Sequence, residues 1–523
     1  MNLPSRTSIR ACRIEERGAL AMGRAETTML NSTDVMRLAE GTLQLLEDTG
    51  ILVENDEIVG LCLQKGCTQG SDTRLRIPRE LVGEMVEFQK VTQEEYEQNH
   101  ELVYTCGPDW THYLIRTGQG EAFRQGYADR FVMQAFDCGP TTYYDYQHGA
   151  IKPVDTSIFD TMMKFAEAAP EIGYTSMWYR QDVPPTIERL DSLRRSMDLT
   201  TKFTGIEAIY PEVVKYLKEA SVILTSNAAS SAYLAGSECM NSPLILEERS
   251  ARDILARKAA GVHRYHVASM PTLGISTPVT MAGAIIMGAA EVLGGMAVCW
   301  CVDPQSDLSG RAICLVADMR TGNAATFGPE CVQFNLGVRR LFQERFGGHC
   351  MVEVFFSPTA RRPGLQAVFE NLYATKCRQR WDQHPGIPYG GMGTLHNGGL
   401  GSPTQFILDM EIRKAEWRFN RPIEVNEDTE DLSEIAEVTC QRGTFLATDH
   451  TMSHFRQLWT SACFRSDDPF AGAWDGSEKA ILDACEEMWR ANLEQWQPPE
   501  WPQDKLKAID NLVSRAKREF GIS

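Results

Sequence analysis

Between residues 171 and 396 the chain carries eight short apolar or β-rich runs, each separated from the next by a stretch able to hold a helix. No other feature restricts the fold as much, because alternation of this kind is met by parallel strands with helical crossovers. The runs cover residues 172–178, 203–209, 232–237, 265–270, 296–302, 312–316, 351–356 and 387–395. Eight such units in ~230 residues match the rhythm of an α/β fold of the (β/α)8 TIM-barrel type. A doubly wound open sheet satisfies the same periodicity, and the gap between the fifth and sixth runs is short for a helix. Crossover helices are expected at 210–225, 248–260, 280–293, 330–346 and 365–380. The third of these opens on Thr277-Pro278-Val279-Thr280, with capping residues and a proline ahead of an apolar run.

Helical spacing extends beyond the barrel on both sides. Val35, Leu38, Leu43 and Leu46 recur at helical intervals, and Pro78 suits the first turn of a helix running through Met85 and Phe88. Residues 101–150, rich in Tyr, Gly and Thr, read as short strands and loops. Past Ser402, helices are expected at 406–418, 435–446, 477–496 and 503–520, with Pro498-Pro499 as a break. The chain thus divides into a leader (1–30), a helical N-terminal region with its connecting segment (31–150), the barrel (151–412) and a C-terminal helical annex (413–523). The leader lacks a continuous apolar core, so no secretory signal is expected. The most apolar run, 283–302, is interrupted by Glu291 and Gly294-Gly295, and reads as a short helix followed by a strand in preference to a membrane span.

With 52 Lys and Arg against 70 Asp and Glu, the formal charge is −18, which disfavours nucleic acid and anionic membranes as partners. The 15 cysteines include no Cys-x-x-Cys pair, as expected of reduced thiols in the cytoplasm. Cys299 and Cys301 would share one face of a strand and so could share a metal, although their apolar neighbours read as core. No metal site, phosphate loop, dinucleotide fingerprint or serine elbow is complete in the sequence.

Chemistry in such barrels sits at the carboxyl ends of the strands. Those ends carry Trp178 and Tyr179, Glu238, Trp300, Arg320, Phe355 and Phe356 with Arg361 beyond, and then Tyr389 and His396. An aromatic mouth suits a quaternary ammonium ion, which has no N–H to donate and is held by ring faces at about 0.5–2 kcal/mol per ring. Each ring has an equally ordinary role in packing, and adjacent strand residues point to opposite faces, so at most one of each pair would face a cavity. Arg320 and Arg361 offer planar forks to a carboxylate, or to structural ion pairs. His396, flanked by Gly393, Gly398 and Gly399, is the candidate catalytic residue, placed to orient substrate or to meet a partner's cofactor.

Several stretches resemble the trimethylamine methyltransferase family. They include Arg76-Ile77-Pro78-Arg79, Asn241-Ser242-Pro243-Leu244, Thr277 to Gly283, Asp318-Met319-Arg320-Thr321-Gly322, Gly328-Pro329-Glu330 and Leu408-Asp409-Met410-Glu411. The resemblance implies a barrel that moves a methyl group from an amine to the cobalt of a corrinoid (cobalamin) carried by a separate small protein. It also implies no cofactor held tightly by this chain. The trimethylamine branch has pyrrolysine in the loop before a Gln-Ala-containing helix. Here that helix resembles Leu365-Gln366-Ala367-Val368-Phe369-Glu370, which places Arg361, to within a residue, at the pyrrolysine position. The implied branch therefore demethylates quaternary amines such as glycine betaine. The alternatives are a betaine-binding or regulatory barrel without methyl transfer and a zinc-dependent barrel methyltransferase. A homo-oligomer is expected on class alone.

Overall fold

Asn31 opens the first helix, Ser32–Asp48, by accepting from the Asp34 amide (2.9 Å) while Asp34 returns a bond to the Asn31 amide. The helices Asp56–Gln64 and Arg79–Gln89 follow, and the three form the expected helical N-terminal region. The computed structural model describes residues 29–89, 133–136, 139–347, 352–353, 357–382, 392–419, 423–464 and 477–522.

The architecture is mixed α/β and rests on parallel strands paired in chain order. Met133–Ala135 pairs with Ile172–Thr175, and Thr175 bridges to Phe203. Ile206–Glu207 pairs with Leu234–Ala235, and Glu238–Met240 with Arg264–Ser269. Arg264–Ser269 pairs in turn with Asp307–Ala312, which pairs with Val352–Glu353. Ala135 also bridges in parallel to Met392, so the first strand has the segment leading to residue 396 on its other side. Among the described residues no pairing joins Val352–Glu353 to Met392, and no sheet closes on itself. The crossovers hold the helices Pro185–Met197, Val214–Thr225, Glu248–Ala259, Met281–Val302 and Pro329–Arg345.

Two expectations are corrected. The run at 296–302 is not a strand but the second half of the helix Met281–Val302, so Trp300 sits on a helix and not at a strand end. The helix has little amphipathic contrast because nearly every side is buried, which hides its period in the sequence. Its two glycines are close-approach points and not a break. A Cβ at Gly294 would lie 2.3 Å from Ile51 Cδ1, and one at Gly295 would lie 2.6 Å from Val267 Cγ1. The helix is thus wedged between the N-terminal region and the strand Arg264–Ser269. It is long and apolar enough to cross a bilayer, yet 83% of its most apolar stretch is buried inside the protein. The series instead gains Met133–Ala135, within the segment read as connecting, and the sixth strand lies earlier than 312–316, at Asp307–Ala312.

Helical geometry also separates Cys299 from Cys301, which do not share a face. Cys301 meets Cys62 and Cys67 in a buried thiol cluster, while Cys299 is buried nearer Glu238 and Asp303.

Two hydrophobic cores back the parallel strands. One joins the N-terminal helices to Met281–Val302 and strands from Met240 to Ala312. The other joins the strands from Ala135 to Leu234 to the C-terminal helices Pro403–Phe419, Glu478–Glu494 and Gln503–Glu519. On this second side lies a small sheet. Thr394–Leu395 runs antiparallel to Leu400–Gly401, which pairs in parallel with Thr142–Asp145, itself antiparallel to Ala150–Pro153.

Candidate functional site

Segments that follow parallel strands converge beside this small sheet. Tyr144 and Tyr146 come from beyond the strand at 133–135, Asn323 to Ala325 from beyond 307–312, Thr359 to Gln366 from beyond 352–353, and His396 from beyond Met392. With Glu478 and Lys479 of the C-terminal helix they line a cleft of about 850 Å3. Strand alternation explains the first of these tyrosines. Tyr143 points into the core while Tyr144 faces the other side, and Tyr146, one residue past the strand, packs partly against the core that holds Tyr143 and also lines the cleft. The Tyr146 hydroxyl donates to Asp483 Oδ1 at 2.7 Å, and burial together with that carboxylate pushes it above the usual phenol range.

His396 and Asn397 both adopt the left-handed region, with φ of +46° and +58°. Two successive non-glycine residues there are costly and persist only where neighbours hold them. Here the His396 amide donates to the Ala360 carbonyl (2.9 Å) and the Asn397 amide to the Pro358 carbonyl (3.0 Å). Asn397 Oδ1 accepts from Thr326 Oγ1 (2.7 Å). The His396 loop is therefore tied to the Arg361 loop through its own backbone.

Two buried carboxylates fix this arrangement from behind. Glu370 accepts from the Thr359 amide (2.6 Å), the Ala360 amide (3.2 Å) and Thr359 Oγ1 (2.7 Å), the residues immediately before Arg361. Asp409 accepts from the Gly393 amide (3.0 Å), Gln405 Nε2 (2.8 Å) and Asn371 Nδ2 (3.1 Å). Gln405 Oε1 accepts in turn from the Gly364 amide at 3.0 Å, so a Gln405–Asp409 pair one helical turn apart holds both loops. Burial raises the Asp409 carboxyl above the ordinary range despite these three donors.

His396 is exposed to the cleft, and its pKa is lowered, first by partial burial and then by the Arg361 guanidinium. The imidazole is accordingly neutral at neutral pH. Two candidates read from the sequence, His396 and Arg361, thus share one cleft.

The other candidates are elsewhere. Trp178 is fully buried, edge-on to Phe136 with centroids 4.9 Å apart, and a Cβ at Gly401 would lie 2.2 Å from its ring. Tyr179 donates to Glu207 Oε2 (3.1 Å) and has the Arg189 guanidinium 3.7 Å from its ring centre, which occupies that ring face. Burial, with Glu207 beside it, pushes its hydroxyl up. Glu238 is buried against Arg257 (2.7 Å), which also binds Asp253 (2.7 Å), and burial raises its carboxyl to about 7. Trp300 packs on Phe88 at 4.6 Å. Arg320 is 88% exposed and pairs with Asp318 two residues away (3.0 Å). Phe355, Phe356 and Tyr389 lie outside the described residues.

Sequence reasoning missed Tyr144, Tyr146 and Gln405. The Tyr-Tyr-x-Tyr spacing of 143–146 was the available signal for the first two, while Glu370 and Asp409 fell within stretches already noted for their resemblance but were given no role.

A family model described as trimethylamine methyltransferase (MTTB) matches residues 127–521. The chain is 21% identical over 506 residues to a glycine betaine methyltransferase of Desulfitobacterium hafniense strain Y51, covering 94% of this chain and 98% of that protein. It is 21% identical over 497 residues to the trimethylamine methyltransferase MttB of Desulfitobacterium hafniense strain DSM 10664 / DCB-2, covering 92% of each. To the trimethylamine methyltransferase MttB of Methanosarcina barkeri strain Fusaro / DSM 804 it is 22% identical over 533 residues, covering 96% of this chain and 98% of that protein.

Proposed function

Because the chain belongs to the trimethylamine methyltransferase family and is a methyltransferase, we propose that it takes a methyl group from a carboxylated quaternary amine, glycine betaine or a near analogue. The methyl acceptor in this reading is the reduced cobalt of a corrinoid protein, and the place is the cytoplasm. The observation that carries the reading is the meeting of Arg361 and His396 in one open cleft with Tyr144 and Tyr146.

The chemistry of a betaine suits these groups. Its carboxylate matches the guanidinium fork of Arg361, with Arg362 beside it on the cleft wall. Its trimethylammonium group has no hydrogen to donate, and the faces of Tyr144 and Tyr146 offer the cation–π contacts it can use. His396 contributes by being neutral, since an imidazolium there would repel the substrate cation.

A quaternary nitrogen needs no acid or base to leave. The N–CH3 bond breaks with its electron pair remaining on nitrogen, the methyl passes to the nucleophilic cobalt, and no proton moves. The protein's work is then alignment, for which the Gln405–Asp409 and Glu370 clamps are built. An open cleft also leaves room for a carrier protein to approach.

The parallel series is read here as a closed eight-stranded (β/α)8 barrel. Six strand pairings and bridges in chain order, together with the Ala135–Met392 bridge, support that reading. Purified protein mixed with reduced cobalamin and glycine betaine is expected to yield methylated cobalamin and dimethylglycine, followed by the change in the visible spectrum. Transfer from trimethylamine but from no betaine would overturn the substrate assignment.

A further inference from the structure

Among the described residues that line the cleft, Glu478 is the one carboxylate, set against the basic side chains of Arg361, Arg362 and Lys479. It follows Ser477, whose hydroxyl accepts from the Ala480 amide (3.1 Å) and so caps the helix Glu478–Glu494. An acidic residue in a first turn complements the helix dipole, which accounts for the residue type but not for its hold on the cleft. That hold comes from a second contact. Glu478 Oε1 accepts from the Leu365 amide (2.5 Å), while Gln405 accepts from the amide of the preceding residue, Gly364 (3.0 Å). Gly364 lies in the left-handed region at φ +123°, and a Cβ there would strike Glu478 Oε1. The end of the Arg361 loop is thus seated directly on this carboxylate.

The neighbouring charges on that helix are already engaged. Lys479 pairs with Asp483 (2.5 Å), and Asp483 also accepts from the Tyr146 hydroxyl (2.7 Å). Among the described residues no ion pair neutralises Glu478, whose contact is the Leu365 amide. One helix therefore carries the cleft's carboxylate and fixes one of its rings, while the guanidinium groups come from the Arg361 loop. Both signs of charge reach the cleft, each from its own element.

We infer that Glu478 is the counter-charge for the substrate's quaternary nitrogen and determines specificity for a cation, a role that rests on the betaine reading above. A zwitterion calls for both signs of charge in its site. Arg361 answers the carboxylate, whereas ring faces receive the methyl groups of a cation and of a neutral group of the same shape. A fixed carboxylate discriminates between the two, and it does so through space, as a nitrogen without hydrogens requires. In the reaction the electron pair of the N–CH3 bond stays on nitrogen, so the positive charge fades as the methyl leaves. The attraction to Glu478 is then strongest in the ground state, which makes it a contribution to capture and not to the chemical step. The neutral amine just formed has no charge for Glu478 to hold, and its release is favoured.

Titration calorimetry of the full chain with two ligands tests this: glycine betaine, and tert-butylacetate, in which carbon replaces the charged nitrogen. The wild type is expected to prefer glycine betaine. Glu478→Gln, which keeps an acceptor for the Leu365 amide, is expected to weaken glycine betaine about fivefold, the worth of a partly exposed ion pair, and to bind tert-butylacetate as well as before or better. In the demethylation assay with reduced cobalamin, KM for glycine betaine rises by the same factor while kcat holds. A merely structural Glu478 gives a different pattern, because a loosened Arg361 loop weakens both ligands alike and lowers kcat. Equal weakening of the two ligands overturns the inference, as does an unchanged affinity for glycine betaine or a kcat that falls while KM holds. A wild type that neither binds nor demethylates glycine betaine defeats the functional reading and the Glu478 assignment with it. A wild type that prefers glycine betaine, beside a variant that keeps the same preference, defeats the assignment alone.

Discussion

Two buried carboxylates on helices behind the parallel strands do similar physical work on opposite sides of the molecule. Glu291, on the side of the N-terminal helices, accepts from the Leu244 amide (2.8 Å), Ser242 Oγ (2.8 Å) and Ser269 Oγ, and so holds a turn against a strand. Asp409, on the side of the C-terminal helices, accepts three donors as well, but one of them is the amide of Gly393, three residues before His396. Burial raises both carboxyls above the ordinary range. The difference lies in what each one holds: Glu291 serves stability, whereas Asp409 fixes the cleft. A buried polar cluster acquires a functional role from its partners and not from its burial.

The largest effect should come from removing what the Asp409 side positions. Arg361→Ala is expected to weaken glycine betaine about 10- to 100-fold, the worth of one charge-assisted bidentate contact, with little change in melting temperature. Calorimetry beside a thermal melt reads both, and an unchanged affinity would separate Arg361 from substrate.

Next comes the direct contrast. Asp409→Asn keeps one acceptor oxygen but sets an amide group against a donor, either Gly393 or the Gln405–Asn371 pair. Since it also relieves a buried charge, turnover should fall about tenfold while stability moves by less than ~1 kcal/mol. Glu291→Gln, which relieves a buried charge in the same way, should likewise move stability by less than ~1 kcal/mol but leave kinetics per folded molecule unchanged. Stopped assays normalised to folded protein decide between them, and equal kinetic losses would erase the distinction.

His396 gives a smaller, pH-dependent effect. Its pKa lies below the ordinary 6.5, so its folded form resists protonation and the fold is penalised, not helped, as pH falls below the unfolded value. Affinity for a quaternary amine should decline severalfold over that acid range as the imidazolium forms. His396→Ala should abolish this acid limb and lower turnover more than stability. An acid limb that survives the substitution assigns it to another group.

Much of this was legible in the sequence, for reasons specific to each element. Amphipathic helices such as Ser32–Asp48, capped by Asn31, and Gln503–Glu519 declare their faces. The helix Met281–Val302 does not, because burial all round removes the polar face that would mark its period. The strand-end rule brought out Arg361 and His396 because chain order alone places them past the seventh and eighth runs. It did not separate cleft rings from core rings. Trp178 is taken by Phe136 and Gly401, and Tyr179 by Arg189, through contacts more distant in sequence than any local pattern spans. The Gln405–Gly364 bond, 41 residues apart, was invisible for the same reason.

The central claim is that the cleft selects a cation that also bears a carboxylate. Titration calorimetry of the wild type with glycine betaine, choline and trimethylamine tests it most directly, since choline keeps the quaternary nitrogen and lacks the carboxylate. The account predicts that glycine betaine binds at least tenfold more tightly than either. Equal binding of choline, or preference for trimethylamine, would contradict it.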